Sequence, residues 1–245
     1  MLISVVIPTY NGEKYIKEQM DSILSQELSD LPDAELEIIV SDDLSKDKTI
    51  DLVKSYCDDR IKILMHNQKR THKYNKEIFA VTENVGNALL FAKGDYVFLS
   101  DQDDIWHPKK IVTQIKKLQA SGGGVCAHSL IYITEDKRFL RKKTCKCGSF
   151  LSMCKCMPLH GMSMCISRDV LDCILPFPNI LQHDIYLALW AKWNKCLFIV
   201  NEPLVAHRIL IGGKNISYSA SKTPRFIKFY YRLKLIFCVL VSESR

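Results

Sequence analysis

The sequence predicts an α/β protein whose central sheet is mostly parallel and flanked by helices. Short apolar segments, typical of strands buried on both faces, alternate with segments in which apolar residues recur at helical spacing. Such alternation is typical of βαβ units, which form parallel sheets. The chain has 245 residues and is 47% hydrophobic, which allows one large domain or two small ones.

The first half of the chain contains four predicted strands separated by helices. The predicted strands are 2–7, 36–40, 60–66 and 96–99, the predicted helices are 16–26, 47–56 and 79–92, and a long polar loop covers 67–76. In the fourth strand both faces are apolar, since Val97 and Leu99 point one way and Tyr96 and Phe98 the other. We therefore expect this strand to lie buried between two layers.

The regular alternation weakens after about residue 124. A helix containing Ile111, Ile115 and Leu118 begins at Pro108 and ends at the glycines of 122–124. The later predictions are strands at 125–133, 162–167 and 196–200, a loop or hairpin at 137–146, a short helix ending at 175 and a helix at 183–193. We expect the first half to bind a nucleotide and the second half to carry specificity.

Charge and composition exclude some classes of protein. The net charge of +7, with a pI of about 8.8, suits a diphosphate substrate, an anionic membrane surface or nucleic acid. No secretory signal and no run of about 18 apolar residues is recognisable, so we expect a cytoplasmic protein. Neither G-x-G-x-x-G after a strand nor G-x-x-x-x-G-K-[ST] occurs, which disfavours dinucleotide dehydrogenases and P-loop enzymes.

Ten cysteines without an export signal indicate a reducing compartment. Four of them, Cys145, Cys147, Cys154 and Cys156, lie close together and could bind zinc, although structural zinc sites usually have two to four residues within each cysteine pair. Reduced, unconnected thiols are the alternative, and the sequence leaves both open.

Carboxylates follow two of the predicted strands. Asp101 and Asp103 come directly after the fourth strand, and residues two apart share one side of an extended chain. Open α/β sheets bind ligands at this end of their strands, and such oxygen ligands suit Mg²⁺ or Mn²⁺ shared with substrate phosphates. Asp42 and Asp43 end the second strand and would reach the same edge, where they could contact a base or ribose. A solvated acidic turn is the alternative for Asp101 and Asp103.

Three segments, Ser4–Gly12, Glu37–Asp43 (followed by Ser45 and Thr49) and Gly94–Trp106, stand in an order and spacing that can be compared with a family. Together they resemble glycosyltransferase family 2, the inverting enzymes of the GT-A fold. The first resembles the family's opening strand, the second its uracil- or thymine-contacting segment, and the third its metal-binding segment in the form common among bacterial rhamnosyltransferase-like members.

The resemblance continues more thinly in the second half. Gly161–Met164 resembles the small-residue segment that lines the sugar and acceptor site. His183–Asp184 resembles the acidic motif whose aspartate is the general base, and Glu202–Arg208 resembles the strand that follows it. By itself, Asp184 would be interpreted as a carboxylate at a helix N-terminus, which the helix dipole favours.

The resemblance implies a GT-A, Rossmann-like domain at 1–215, with a nucleotide-sugar-binding half at 1–123 and an acceptor and catalytic half at 124–215. It implies metal-dependent transfer from a UDP- or dTDP-sugar to a glycan or lipid-linked saccharide in surface polysaccharide synthesis, with Mn²⁺ or Mg²⁺ and without nucleic acid. The implied residues are the donor contacts Pro8, Thr9, Tyr10, Asp42, Asp43, Asp101 and Gln102, the metal ligands Asp101 and Asp103, the acceptor contacts Trp106, Gly161, Met162 and His183, and the general base Asp184. Asp103 is expected to be the main metal ligand, and Asp104 to hold the shape of the loop.

Several positions depart from the family pattern. Leu44 and Lys48 stand where the family usually has glycine, so we expect a differently shaped loop. Asn84 receives no binding role, because alignment on the following Lys-Gly-Asp places Ile78–Ala80 at the family's Asn-x-Gly. His207–Arg208 keeps a basic pair, but its apolar continuation argues against a phosphate contact there.

The segment 216–245 is predicted to form a basic amphipathic tail. Residues 225–241 mix aromatic and basic side chains, and the final apolar run is too short to span a bilayer. A helix lying on an anionic membrane, at the inner face of the cell membrane, and a helix packed on its own domain or a partner fit equally well. Peripheral membrane contact is therefore one of two expectations.

Two other functions remain compatible with the sequence. A glycosidase also needs two carboxylates, but it has no use for a nucleotide pocket. A non-catalytic relative could retain the fold as a membrane-associated scaffold, which the altered loops would permit.

Overall fold

The computed structural model describes residues 1–67, 74–155, 159–210 and 223–242. The strands are β1 (Leu2–Thr9), β2 (Glu35–Asp42), β3 (Ile61–Met65), β4 (Tyr96–Leu99), β5 (Ile105–Trp106), β6 (Val125–Ile133), β7 (Phe139–Lys143), β8 (Met164–Ser167) and β9 (Leu197–Arg208). The α-helices are α1 (Ile16–Leu24), α2 (Thr49–Lys54), α3 (Lys76–Phe91), α4 (Lys110–Gln119), α5 (Phe150–Lys155), α6 (Arg168–Ile174), α7 (His183–Trp193) and α8 (Arg225–Val241). A short 3₁₀ helix, Gly161–Ser163, precedes β8.

A single mixed sheet connects all the strands. Their order is β3-β2-β1-β4-β8-β6-β9-β5, and β7 pairs with β6. Pairing is parallel through β3, β2, β1 and β4, because α1, α2 and α3 provide the crossovers that parallel neighbours require. It is antiparallel where β8 joins β4 to β6 and parallel again between β6 and β9. The predicted α/β fold with flanking helices and a C-terminal helix is confirmed, and its parallel pairing is concentrated in the first half.

Strand β4 separates two apolar cores. Val97 and Leu99 pack into the core that includes buried residues of α3 and α7, whereas Phe98 packs into the core that includes α1 and α4. This alternation is the one predicted from the sequence. Burying a side chain of this kind contributes roughly 1.5–3 kcal/mol to stability, so the two-sided burial of β4 holds the start of the carboxylate segment firmly.

Some element boundaries differ from the predictions. Helix α3 begins at Lys76 rather than near Phe79, directly after Asn75, whose left-handed backbone (φ 54°) ends the preceding loop. Strand β9 is continuous over the two predicted segments, because register shifts opposite His128 and Ser129 absorb the irregularity around Glu202 and Pro203. The short strand β5 was not predicted from the sequence.

Helix α8 packs on the domain through one face. Leu235 and Val239 are buried in the core that contains α7, and the Tyr231 ring meets Phe79 edge-on, with centroids 5.5 Å apart. No helix within the described ranges is long and apolar enough to cross a membrane. The predicted domain boundary at residues 215–216 and most of the predicted loop 67–76 lie outside the described residues.

The cysteine cluster is only partly described. Cys145 is buried, Cys147 is exposed and Cys154 is intermediate, and none of them forms a disulfide. Cys156 lies outside the described residues. Zinc binding by these four cysteines therefore stays an untested alternative.

Candidate active site

The carboxyl ends of β1, β2 and β4 lie at one edge of the sheet, because these strands are parallel neighbours. The chain leaves β4 after Leu99 and bends through residues 101–104 into β5. Strand β5 pairs with β9 so that Ile105 lies opposite Ala206, which brings Asp104 beside His207. The acidic segment of the first half therefore meets a histidine from the second half.

Asp101, Asp104 and His207 form a compact group in which one potential ligand atom of each residue lies within 4.8 Å of the others. His207 Nδ1 donates a 2.8 Å hydrogen bond to Asp104 Oδ1. Burial alone would lower the pKa of His207, but the Asp104 carboxylate raises it to about 9. Burial, followed by the Asp104 carboxylate, raises the pKa of Asp101 to about 8. The carboxylates are crowded enough to favour a bound cation.

The residues present fit a divalent cation. Asp104 Oδ2 is buried and has no hydrogen-bond partner among the described residues. An unpaired buried carboxylate oxygen is costly unless a donor or a cation satisfies it. Carboxylates suit Mg²⁺ and Mn²⁺, and the His207 imidazole becomes a ligand of the kind common for transition metals when a cation displaces its proton. This donor set is therefore compatible with the predicted Mn²⁺ or Mg²⁺.

The group contains Asp104, whereas the sequence selects Asp103 as the main ligand. Asp103 lies outside the group, and its main-chain oxygen accepts a 3.0 Å hydrogen bond from Arg208 Nε. The expected alternation of sides does not apply here, because the chain bends at this point instead of continuing as a strand. Burial and the Asp104 carboxylate raise the pKa of Asp103 to about 7. Its role as a ligand stays a prediction, and Asp104 becomes a second candidate beside Asp101.

The predicted donor contacts on β1 and β2 are of two kinds. Asp42 is fully buried, and its carboxylate accepts hydrogen bonds from Thr9 Oγ1 at 2.7 Å and from the amide and hydroxyl of Ser45 at 2.7 and 2.6 Å. These bonds stabilise the loop after β2, so Thr9 and Asp42 contribute to the site by fixing the shape of this loop. Tyr10 is 42% exposed and Pro8 is partly exposed, so both residues are accessible from the solvent.

Gln102 ties the acidic segment to the turn after β1. Its Oε1 accepts a 2.9 Å hydrogen bond from Tyr10 N, and its Nε2 donates to Tyr10 O at 3.2 Å. A Cβ atom on Gly12 would lie 2.5 Å from Gln102 Oε1, so glycine leaves room for this contact. Asp43 N donates to Thr9 O at 2.9 Å and joins the second loop to the first. Donor contact by Asp43 and Gln102 stays a prediction.

Asp184 approaches the same site from the first turn of α7. Its Oδ1 accepts a 2.8 Å hydrogen bond from Ile185 N. Gly161 packs against this turn, since a Cβ there would lie 2.9 Å from His183 Nε2 and 3.6 Å from Asp184 Cβ. The Asp184 charge contributes to the raised pKa of Asp101, after the larger effect of burial and of the other carboxylates. The predicted base, Gly161 and the acidic group therefore share one site.

Two predicted acceptor contacts are core residues instead. Trp106 is 3% exposed and packs on Phe98, with ring centroids 5.9 Å apart. Met162 is 2% exposed and belongs to the same core. The position of Trp106 after the carboxylates suggests an exposed ring, but the pairing of β5 with β9 turns the indole inward. The burial of these two side chains argues against the predicted acceptor contacts, which stay predictions.

Each guanidinium nitrogen of Arg208 donates a hydrogen bond within the protein. Its guanidinium donates to Glu18 Oε2 at 2.6 Å, to the Glu135 carbonyl at 2.7 Å and to the Asp103 carbonyl. Arg208 therefore stabilises the bend that carries the carboxylates, which agrees with the expectation against a phosphate contact.

Asn84 is also buried, and its Nδ2 donates to Ser41 O at 2.8 Å at the end of β2.

His160 lies beside His207, and the sequence did not predict it as a residue of the site. The two rings stack with centroids 5.9 Å apart. His160 Nε2 lies 2.6 Å from Lys143 Nζ and 3.2 Å from the Tyr132 hydroxyl. Burial and the Lys143 charge lower the pKa of His160 to about 3, so the ring is neutral and Nε2 can accept one hydrogen bond, from Lys143 Nζ or from the Tyr132 hydroxyl. The only local signal was its place before Gly161.

A mixed α/β sheet with carboxylates after a central strand, facing an aspartate on a later helix, defines a glycosyltransferase-like site of the GT-A class. The crystal structure of Staphylococcus aureus TarS 1–349 in complex with UDP-GlcNAc superposes with a TM-score of 0.70 at 20% identity, covering 99% of this chain and 66% of that chain. This likeness is one of fold.

The family model described as Glycosyl transferase family 2 matches residues 4–174. A UDP-Glc:alpha-D-GlcNAc-diphosphoundecaprenol beta-1,3-glucosyltransferase of Escherichia coli is 33% identical over 224 residues, which cover 90% of this chain and 81% of that protein. An uncharacterized glycosyltransferase of Rickettsia typhi is 28% identical over 231 residues, covering 87% of this chain and 64% of that protein. The chain belongs to glycosyl transferase family 2. It spans about two thirds of the length of the Rickettsia protein and of the TarS 1–349 fragment.

Proposed function

We propose that this chain is a metal-dependent, inverting glycosyltransferase that acts in the synthesis of a surface polysaccharide or related glycan. The observation that carries the proposal is the meeting of two acidic groups at one site. Asp101, Asp104 and His207 stand at the end of β4, and Asp184 stands on α7 across Gly161. Such a site has separate groups for a leaving diphosphate and for an incoming hydroxyl.

In the proposed reaction, Asp184 accepts the proton of the acceptor hydroxyl. The hydroxyl oxygen attacks the anomeric carbon, and the bond between that carbon and the diphosphate oxygen breaks. The nucleoside diphosphate leaves with the electron pair, and the configuration inverts. A cation held by Asp101 and Asp104 or Asp103, with His207, would neutralise the charge on the departing diphosphate.

A UDP- or dTDP-sugar is the proposed donor, with Mn²⁺ or Mg²⁺ as the cofactor. TarS was crystallised with UDP-GlcNAc, and the name of the Escherichia coli relative specifies UDP-Glc. That relative acts on a sugar diphosphate lipid, and TarS is named as a poly(ribitol-phosphate) beta-N-acetylglucosaminyltransferase. Both names describe acceptors that contain phosphate. We therefore propose a glycan or lipid-linked saccharide as the acceptor of this chain.

Helix α8 supports a peripheral position on an anionic membrane. Its residues 225–241 include four basic side chains and no acidic one. The apolar side chains opposite its buried face are exposed and follow helical spacing: Phe226, Phe229, Leu233 and Phe237. A helix with this pattern lies in the plane of a membrane surface, with its basic residues at the headgroups. Such a position would suit a lipid-linked acceptor.

Donor binding and base substitution test the proposal together. Calorimetry with UDP-, GDP- and dTDP-sugars, with and without Mn²⁺, is expected to show metal-dependent binding of one donor. Asp184→Asn should bind that donor like the parent protein but transfer the sugar at least about 100-fold more slowly, since a general base contributes about 10²–10⁴. Asp172→Asn, which changes an exposed aspartate of α6, is the matched control.

Three results would contradict parts of this function. Transfer by Asp184→Asn at the parental rate would exclude Asp184 as the base. Donor binding that is unaffected by chelation of divalent ions would exclude the metal. Hydrolysis of a glycoside in the absence of any nucleotide would favour the glycosidase.

A further inference from the structure

The edge strand β7 carries a basic face beside the candidate active site. It includes Arg141, Lys142 and Lys143 among its five residues. In the pairing with β6, Arg141 lies opposite Tyr132 and Lys143 opposite Leu130. Because residues two apart share a face of a strand, Arg141 and Lys143 lie on one face and Lys142 on the other.

The face with Arg141 and Lys143 is the one that continues into the site. Tyr132 is paired with Arg141 on one side and with His207 of β9 on the other. The Tyr132 and His207 rings meet edge-on with centroids 5.5 Å apart. The row Arg141, Tyr132 and His207 therefore crosses three adjacent strands. With strands about 5 Å apart, the Arg141 backbone lies about 10 Å from that of His207.

Tyr132 and His160, which lie beside His207, orient both cations. The Arg141 guanidinium lies over the Tyr132 ring, 4.8 Å from its centroid, and Lys143 Nζ lies 2.6 Å from His160 Nε2. Within the part of the chain that the structure describes, no ion pair involves Arg141. Its guanidinium therefore keeps donors for an outside anion.

We propose that Arg141 and Lys143 form a subsite for a phosphate or diphosphate group of the acceptor. The inference rests on the proposed function, since it assigns this face to the substrate that receives the sugar. The carboxylates of the site would repel an anionic acceptor, and cations two strands away from His207 would compensate for that repulsion. Arginine binds phosphate through a bidentate fork and lysine as a point charge, so the pair suits this chemistry.

Binding of a defined acceptor analogue tests the subsite. The probe is the octyl ester of α-D-N-acetylglucosamine diphosphate, and the comparison probe is octyl N-acetylglucosaminide, which lacks the phosphates. The full chain, Arg141→Gln/Lys143→Gln and the matched control Lys142→Gln are compared by calorimetry with Mn²⁺ and UDP present. Lys142 lies on the same strand and carries the same charge, but it occupies the opposite face.

The double variant is expected to bind the diphosphate probe at least tenfold more weakly, while Lys142→Gln stays within twofold of the parent. The phosphate-free probe should bind all three proteins alike, and Arg141→Lys/Lys143→Arg should recover most of the affinity. An equal loss in Lys142→Gln, or no loss in the double variant, would overturn the subsite.

Two further measurements separate the alternatives. Competition by a ribitol-phosphate oligomer would support a polymer phosphodiester as the natural ligand, and its absence with retained probe binding would support a lipid diphosphate. UDP and Mn²⁺ titrated alone report on the proposed function. If they fail to bind while the probe still distinguishes the variants, the transferase proposal fails and the anion subsite stands.

Discussion

At the scale of single residues, the two carboxylate oxygens of Asp104 have different surroundings, and the site depends on this difference. Oδ1 is hydrogen-bonded to His207 Nδ1 and lies 3.2 Å from the amide nitrogen of Arg208. Oδ2 is buried without a partner among the described residues. A carboxylate divided in this way has one oxygen that holds the protein together and one that is open to a cation.

Substitution of the two neighbouring aspartates distinguishes the candidate ligands. We expect Asp104→Asn to lower the affinity for Mn²⁺ in the presence of the donor nucleotide at least tenfold, because the amide removes a charge from the group around His207. Asp103→Asn should have a smaller effect. Calorimetric Mn²⁺ titration measures both, and thermal unfolding shows whether each variant is folded. The reverse order of effects would restore Asp103 as the main ligand.

At the scale of secondary-structure elements, one buried carboxylate joins the parallel half of the sheet. Glu37 of β2 accepts hydrogen bonds from Ser4 Oγ of β1 at 2.6 Å, from Lys62 Nζ of β3 at 2.7 Å and from Lys93 N before β4 at 2.8 Å. Gly94 must be small at this junction, since a Cβ would lie 2.5 Å from Ser4 N. These contacts hold the strands whose carboxyl ends carry the site.

The Glu37 junction predicts a pH-dependent contribution to stability. Burial alone would raise the pKa of Glu37, but the hydrogen bonds from Lys62, Ser4 and Lys93 lower it below the ordinary glutamate value of 4.5. Its stabilising effect is therefore fully present above about pH 4.5 and is lost as the pH falls through the lowered pKa. We expect Glu37→Gln to lose about 1–2 kcal/mol of unfolding free energy at pH 7, a value kept small because Lys62 is half exposed.

Urea unfolding of the parent and Glu37→Gln between pH 7 and pH 3 measures this effect. The difference in unfolding free energy between the two proteins should shrink below about pH 4.5. Glu35→Gln, at the exposed start of the same strand, is the control and should remain close to the parent throughout. A difference that stays constant down to pH 3 would show that the charge of Glu37 is not what stabilises the junction.

At the scale of the whole molecule, α8 has two unlike faces. Leu235 and Val239 pack α8 against the α7 side of the domain. The apolar side chains on its opposite face, Phe226, Phe229, Leu233 and Phe237, are exposed. Packing on its own domain was one expectation from the sequence, and the structure contains it. Membrane contact by the other face stays a proposal, and the two are compatible because they use opposite sides of one helix.

Vesicle binding tests the membrane proposal. We expect the chain to co-sediment with vesicles containing phosphatidylglycerol and only weakly with pure phosphatidylcholine, because both apolar burial and anionic charge contribute. Phe229→Ser/Leu233→Ser/Phe237→Ser should reduce sedimentation at least fivefold. The control, Leu90→Ser/Phe91→Ser, changes two exposed apolar residues at the end of α3. Equal losses in both variants would mean that α8 is not the specific contact.

The sequence by itself determined the α/β class, the parallel first half, the two-sided burial of β4 and the family, because strand alternation and strand-end motifs are local patterns. Only the tertiary structure decided that Asp104 joins His207, 103 residues away, and that Trp106 faces the core. Both follow from the pairing of β5 with β9, which sets register between distant segments. The basic face of β7 lies beside His160 for the same reason. Periodicity can be recognised in a single segment of the sequence, but the pairing of distant strands cannot.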